Sequence, residues 1–307
     1  MSRKDIDFKT HDNVTLRGWL YTPSTSTHTE EKLPCLIMTA GWAALKEMSL
    51  DKFAEEFVQQ LPLACLIYDH RSFGSSDTAP GQPQYEIIPS IQMSDMQDAI
   101  TYAQGLPNID PSKIGLWGSS YTGGQVLQVT ASDKRVKAVI SQAPLVSGYE
   151  TLRRLIRPDI LPGIIQMFNG DRLARASGQT PAVVPVSDQN PMIPSALPSA
   201  EAFAFFSAWE GKLEGKWKNQ VTVRSLEATI GFDPISMISR ISPVPLLMVV
   251  AKNDVTTPSD MALDAYHQAR EPKQLVLLSC GHFEVYSDET FIYNSGKQIE
   301  WLKENFL

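Results

Sequence analysis

The chain has 307 residues, 43% hydrophobic and 20% charged, so it can bury a sizeable core and is not a disordered tail. Its 27 basic and 34 acidic side chains give a formal net charge of −7, and an acidic balance without a basic stripe excludes nucleic acid and anionic membranes as partners. Cys35, Cys65 and Cys280 are scattered with no CxxC pair, which excludes a disulfide scaffold and a zinc ribbon. No apolar segment follows residues 1–7, and the longest apolar runs, such as 244–251, fall far short of a bilayer span. The expectation is a soluble, cytoplasmic protein.

Residues 6–10 and 16–22 flank His11-Asp12-Asn13 and predict an opening hairpin. The sequon Asn13-Val14-Thr15 is then a turn rather than a glycosylation site. Runs 33–39 and 63–69 are apolar on both faces, as central parallel strands require. Between them, Phe53, Phe57 and Leu61 predict a helix over 49–61, with Ser49 and Lys52 as a partial capping box. Met93, Met96, Ile100 and Ala103 share one face of a helix over 91–104. A strand over 113–117, a helix from Tyr121 and a strand over 136–141 follow. The alternation resumes with strand 245–251, helix 259–270, strand 274–279 and a helix from about Ser295. Such alternation predicts an α/β fold, a mostly parallel sheet with helices on both faces.

Residues 146–242 break the rhythm. Pro158, Pro162, Pro181, Pro185, Pro191, Pro194 and Pro198 punctuate the stretch, and short helices are expected over 152–157, 199–209 and 223–230. A structureless loop of that length inside one domain is improbable. The predicted organisation is a first core part (1–145), an inserted helical cap (146–242) and a second core part (243–307).

The strongest local signal is Gly115-Leu116-Trp117-Gly118-Ser119-Ser120-Tyr121-Thr122-Gly123-Gly124. Strand, sharp turn and helix is the setting of a nucleophile elbow, whose strained turn needs small residues two before and two after the serine. Gly118 fits, while Thr122 departs from the usual glycine. The stretch 118–123 also matches the first half of a phosphate-binding loop. Gly124-Gln125 follows where that loop needs Lys-Ser/Thr, so the phosphate reading fails.

A serine nucleophile needs a base. His11 and His28 lie in N-terminal turns, His70 follows a strand and His267 sits on a helix. His282, in Ser279-Cys280-Gly281-His282-Phe283, follows the last strand, on the sheet edge where the elbow lies. Asp254 stands just past the strand 245–251 and is the candidate carboxylate to orient the imidazole. Ser120, Asp254, His282 is a nucleophile–acid–base order. Cys280 reads as a buried thiol.

With these motifs the whole chain resembles the α/β-hydrolase fold. The nearer resemblance is to a branch of fungal polyketide transferases and secondary-metabolite serine hydrolases. It is carried by Met38-Thr39-Ala40-Gly41-Trp42, Lys46-Glu47-Met48-Ser49-Leu50, Tyr68-Asp69-His70-Arg71-Ser72-Phe73-Gly74-Ser75-Ser76-Asp77, the elbow, Ser141-Gln142-Ala143-Pro144, the stretch 245–258 and Gly281-His282-Phe283. The resemblance implies an oxyanion hole from the backbone N–H groups of Trp42 and Tyr121. Relatives often carry His-Gly where this chain has Ala40-Gly41. The block around His70 receives no catalytic role.

The sequence thus predicts a serine hydrolase or acyltransferase acting on an ester or thioester with a bulky apolar or polyketide-type acyl group. The acyl substrate is a small molecule, free or carried on a carrier protein, and no metal or organic cofactor is implied. Met167, Phe168, Phe205, Phe206 and Trp209 are the expected acyl-pocket residues, with Phe203 and Trp217 nearby in sequence. Two rivals stay open: a C–C hydrolase or cyclase on a polyketide intermediate, and a catalytically silent binding protein on the same fold.

Overall fold

The computed structural model describes residues 1–24, 32–190, 192–213 and 215–307. His28 and Pro191 lie outside the described residues. The opening hairpin pairs β1 (Ser2–Lys9) with β2 (Thr15–Thr22). Its turn places Asn13 at φ 64°, a conformation that asparagine tolerates better than most residues. The chain then runs through β3 (Leu33–Thr39), α1 (Leu50–Gln60), β4 (Ala64–Tyr68) and α2 (Pro89–Gln104). Next come β5 (Ile109–Ser119), α3 (Tyr121–Ser132) and β6 (Val136–Gln142).

Between β6 and the next sheet strand lie α4 (Gly148–Leu155), α5 (Leu161–Ala176) and α6 (Ala200–Glu210). They are followed by α7 (Val223–Ile230) and a 3-10 turn at Pro234–Arg240. A short antiparallel pair, β7 (Val183–Val184) with β8 (Val221–Thr222), ties this region together. The chain closes with β9 (Leu246–Ala251), α8 (Ser259–Gln268), β10 (Lys273–Leu278) and α9 (Asp288–Asn305).

Among the described residues the main sheet has eight strands in the order β1-β2-β4-β3-β5-β6-β9-β10. β2 is antiparallel to β1 and β4, and every other neighbouring pair is parallel. The continuous apolar runs of the central strands have a direct cause. Leu246, Met248 and Val250 of β9 face the core beside α2, α3 and α8. Leu247, Val249 and Ala251 face the core beside α1 and α9. A strand buried on both faces has no polar side to alternate. Each such side chain withdrawn from water contributes roughly 1.5–3 kcal/mol. A third cluster, including Trp42, Tyr121, Phe206, Trp217 and Phe232, joins the inserted region to the carboxyl edge of the sheet. Ile238 and Ile241, from the end of that region, pack in the core with α3.

Three local expectations are corrected. Ser49 makes no capping bond and takes φ 69°, so the partial capping box does not form. Helix α5 was hidden by Pro158 and Pro162, read as interruptions. Pro162 instead sits in the first turn of α5, where its missing N–H has no intrahelical partner to lose. Helix α9 starts seven residues before Ser295, with Asp288 and Glu289 in its first turn, where carboxylates favour the helix dipole. Its polar Asn294 and Gln298 are not a break. They are fully buried and bond to Gln142.

Cys35, Cys65 and Cys280 are free and buried. No helix among the described residues is long and apolar enough to cross a membrane.

Candidate active site

Ser120 joins β5 to α3 at φ 61° and ψ −123°. That strained backbone is held from both sides. The Ser120 N–H donates to the Gln142 carbonyl at 2.8 Å, and its own carbonyl accepts from Leu145 N–H at 2.9 Å. Gly118 is required here, because a Cβ would sit 2.3 Å from the Thr122 carbonyl oxygen. Thr122, the departure from the usual glycine, is fully buried and turns its hydroxyl onto the Ala40 carbonyl.

The loop after β10 carries His282, whose Nε2 lies 2.9 Å from Ser120 Oγ. On the other side, His282 Nδ1 lies 2.6 Å from Asp254 Oδ2. A carboxylate can only accept, so Nδ1 carries the proton and Nε2 presents its lone pair to the Ser120 hydroxyl. Asp254 follows β9 and is 5% exposed. Its Oδ1 accepts the N–H groups of Thr256 at 2.9 Å and Thr257 at 2.8 Å. The Thr257 hydroxyl lies 2.9 Å from Asp254 Oδ2, 2.9 Å from the Ala143 carbonyl and 3.2 Å from His282 Nδ1. Thr257 was missed in the sequence. Its only signal is a carboxylate three residues ahead of it, at the start of a helix-leading turn.

The Gly41–Trp42 turn packs on Ser120. A Cβ built on Gly41 would lie 3.8 Å from Ser120 Oγ. Among the described residues, the main-chain N–H groups of Trp42 and Tyr121 donate no hydrogen bond within the protein. The Trp42 indole N–H reaches Thr229 Oγ1 at 3.3 Å. His70 stands behind this turn, with Nε2 at 3.2 Å from the Ala40 carbonyl. Burial pulls its pKa down to about 4, so it is a neutral ring donating Nε2–H.

Ser119 faces the other way. Its hydroxyl accepts from Tyr286 at 2.6 Å and from Gln142 at 3.1 Å. Burial pushes the Tyr286 phenol up to about 12, which keeps it a donor at neutral pH. Burial also pushes Cys280 up to about 11, assisted by Glu284, Asp254 and Glu201, so its thiol stays protonated. Among the described residues, no group of three or more His, Cys, Asp or Glu side chains is gathered as a metal ion would require.

Two spaces meet at Ser120. The larger is a cavity of about 500 Å³, walled by apolar residues of the inserted region such as Leu152, Ile156, Ile164, Met167, Leu226 and Ile230. The smaller, about 30 Å³, is bordered by Ser119, His282, Phe205, Phe206, Phe283 and Tyr286. Of the five expected pocket residues, Met167 alone lines the large cavity. Phe205 and Phe206 border the small one. Phe168 and Trp209 line neither and pack in the apolar cluster around Trp42, Tyr121 and Phe206. The apolar walls come from aliphatic residues of α4, α5 and α7 and from the segment 192–198, which composition alone did not separate from ordinary packing.

The family model X-Pro dipeptidyl-peptidase (S15 family) matches residues 12–284. The chain belongs to the S15 family. This S15-family chain is also 31% identical over 307 residues to polyketide transferase grgF of Penicillium sp, covering 99% of this chain and 97% of that one. It is 29% identical over 305 residues to a thiohydrolase of Eupenicillium brefeldianum, covering 98% and 94%. The quorum-quenching protein AidA of Acinetobacter baumannii is 32% identical over 305 residues, covering 97% and 94%. Among solved structures, the α/β hydrolase GrgF from Penicillium sp. sh18 superposes with a TM-score of 0.83 at 30% identity, covering 100% of this chain and 99% of that one. The expected α/β-hydrolase fold and the resemblance to polyketide transferases are therefore both upheld, and the S15-family chain is a serine α/β-hydrolase enzyme.

Proposed function

We propose that the enzyme cleaves or transfers a bulky apolar acyl group, held as an ester or thioester, through an acyl-enzyme on Ser120. His282 Nε2 takes the hydroxyl proton as Ser120 Oγ attacks the carbonyl carbon. Asp254 holds the imidazole and stabilises its cation. The N–H groups of Trp42 and Tyr121 receive the tetrahedral oxyanion, each worth roughly 2.7–4 kcal/mol in comparable sites. The His282 cation returns the proton to the leaving oxygen or sulfur, and water or an alcohol then discharges the acyl group by the reverse steps. Residues 146–242 act as the cap over this centre, and the acyl donor arrives free or on a carrier protein.

One observation carries the choice of substrate. No carboxylate lines the 500 Å³ cavity among the described residues, and Arg157 is its one charged member. A dipeptidyl-peptidase has to meet the free ammonium of its substrate, and an unpaired buried cation is costly. An apolar acyl chain meets no such penalty here. The reading also fits the relatives named polyketide transferase and thiohydrolase.

A fluorophosphonate probe followed by peptide mapping tests the nucleophile, and a panel of acetyl, octanoyl and aromatic esters and thioesters tests the substrate. Labelling at Ser120 with octanoyl turnover exceeding acetyl turnover is the expected result. Absence of labelling would leave a silent binding protein. Labelling without turnover of any ester or thioester would favour cleavage or closure of a C–C bond.

A further inference from the structure

The amides on either side of His282 are each taken by a carboxylate. Gly281 N–H donates to Glu284 Oε2 at 2.5 Å, from within the same loop. Phe283 N–H donates to Glu201 Oε1 at 2.7 Å, and Glu201 belongs to α6, in the inserted region. The approach is close: a Cβ on Gly281 would lie 2.8 Å from Glu201 Oε1. Phe205, one turn further along α6, stacks on Phe283 with ring centres 4.7 Å apart. Helix α6 is thus a brace on the loop that carries the base.

The approach to α6 has a second contact. Ile193, Pro194, Ala196 and Leu197 line the large cavity, and Leu197 borders the small one as well. Ser199 then caps the helix, its hydroxyl accepting Ala202 N–H at 3.1 Å. Three residues separate the cavity wall at Leu197 from Glu201, whose carboxylate holds Phe283. The cavity wall and the carboxylate on Phe283 N–H thus belong to one short segment.

We propose that Glu201 is a positioning residue for His282, and that through the segment 193–201 a long acyl group improves base placement as well as binding. This rests on the reading of Ser120 and His282 as nucleophile and base. It predicts that acyl length acts on kcat and not on KM alone, because only correctly aligned groups lower the barrier.

The full-length chain is assayed with acetyl and octanoyl p-nitrophenyl esters as wild type, Glu201→Gln and Glu201→Asp. Glutamine keeps an acceptor oxygen at the same reach without the charge, whereas aspartate keeps the charge and withdraws it by one methylene. In the wild type, kcat for octanoyl should exceed that for acetyl. Glu201→Asp should lower octanoyl kcat by up to roughly 10²-fold, with KM nearly unchanged and acetyl kcat less affected. Glu201→Gln should retain most of the wild-type advantage, and melting curves should show both variants folded. A Glu201→Asp protein with the wild-type octanoyl-to-acetyl ratio would overturn the proposal. So would a Glu201→Gln protein as impaired as Glu201→Asp, since the loss would then not follow the reach of the acceptor oxygen. Fluorophosphonate labelling of wild-type Ser120 is read separately, so loss of that reading is distinguishable from loss of this one.

Discussion

The Thr122 hydroxyl donates to the Ala40 carbonyl, which joins the two positions where the site departs from its family's usual motif. Thr122 stands where the elbow usually has glycine, and Ala40 where relatives often carry histidine. The bond holds the peptide leading into Gly41 and Trp42 together with His70, whose ring reaches the same oxygen. A threonine fits at 122 because its hydroxyl has this buried acceptor.

Thr122→Val preserves the shape and removes the donor. It should leave the Ala40 carbonyl with His70 alone, costing about 1–3 kcal/mol if the oxygen is left poorly paired. Because that carbonyl leads into Trp42, the proposed oxyanion donor, kcat should fall more than KM rises. Steady-state kinetics beside a melting curve check this, and unchanged kcat with a lowered Tm would reduce Thr122 to a packing residue.

Removing the nucleophile or its partners should separate their roles. Ser120→Ala is expected to abolish probe labelling and turnover while keeping the fold, whereas Ser119→Ala should keep most activity. Asp254→Asn should lose about 10⁴-fold in kcat by analogy with a comparable triad, since the amide disturbs the imidazole tautomer. Thr257→Val withdraws one of the bonds holding Asp254, so a smaller loss is expected. Peptide mapping after labelling and single-turnover kinetics give the order directly.

His70 sets a stability change with pH. Its folded pKa lies near about 4, below the ordinary 6.5, so the unfolded chain binds the proton first. Stability from this group is complete above about pH 6.5 and is lost as pH falls towards about 4, on the order of 3 kcal/mol at most. His70→Gln should flatten that part of the curve. Denaturant unfolding of both proteins across this window checks it, and equal slopes would sink the assignment.

The large cavity should set acyl preference. Ile164 and Leu226 face it from α5 and α7. Leu226→Trp or Ile164→Trp should fill part of it and lower kcat/KM for octanoyl esters several-fold while sparing acetyl esters, since burial is worth roughly 25 cal/mol per Å². Trp209→Ala, away from both cavities, should affect both esters alike. Preference unchanged in the two tryptophan variants would move the acyl site elsewhere.

The sequence by itself determined the parts of this enzyme that local rules control. Two-faced apolar runs define buried strands, and β5 could be read because Gly118 and Ser120 mark a turn that only small neighbours permit. The order Ser120, Asp254, His282 was legible because each follows a strand at the same sheet edge. Only the tertiary structure decided what depends on distant partners. Thr257 is ordinary until Asp254 and Ala143 close around it, and Glu201 reads as an acidic residue in a helix's first turn until Phe283 arrives. Likewise, Phe205 and Phe206 look like pocket aromatics by composition, yet α6 turns them onto the loop of His282, leaving the wall of the large cavity to mostly aliphatic residues. A side chain's type is local, but its partner lies wherever the chain returns, and these contacts span 82 residues for Glu201 and 114 for Thr257.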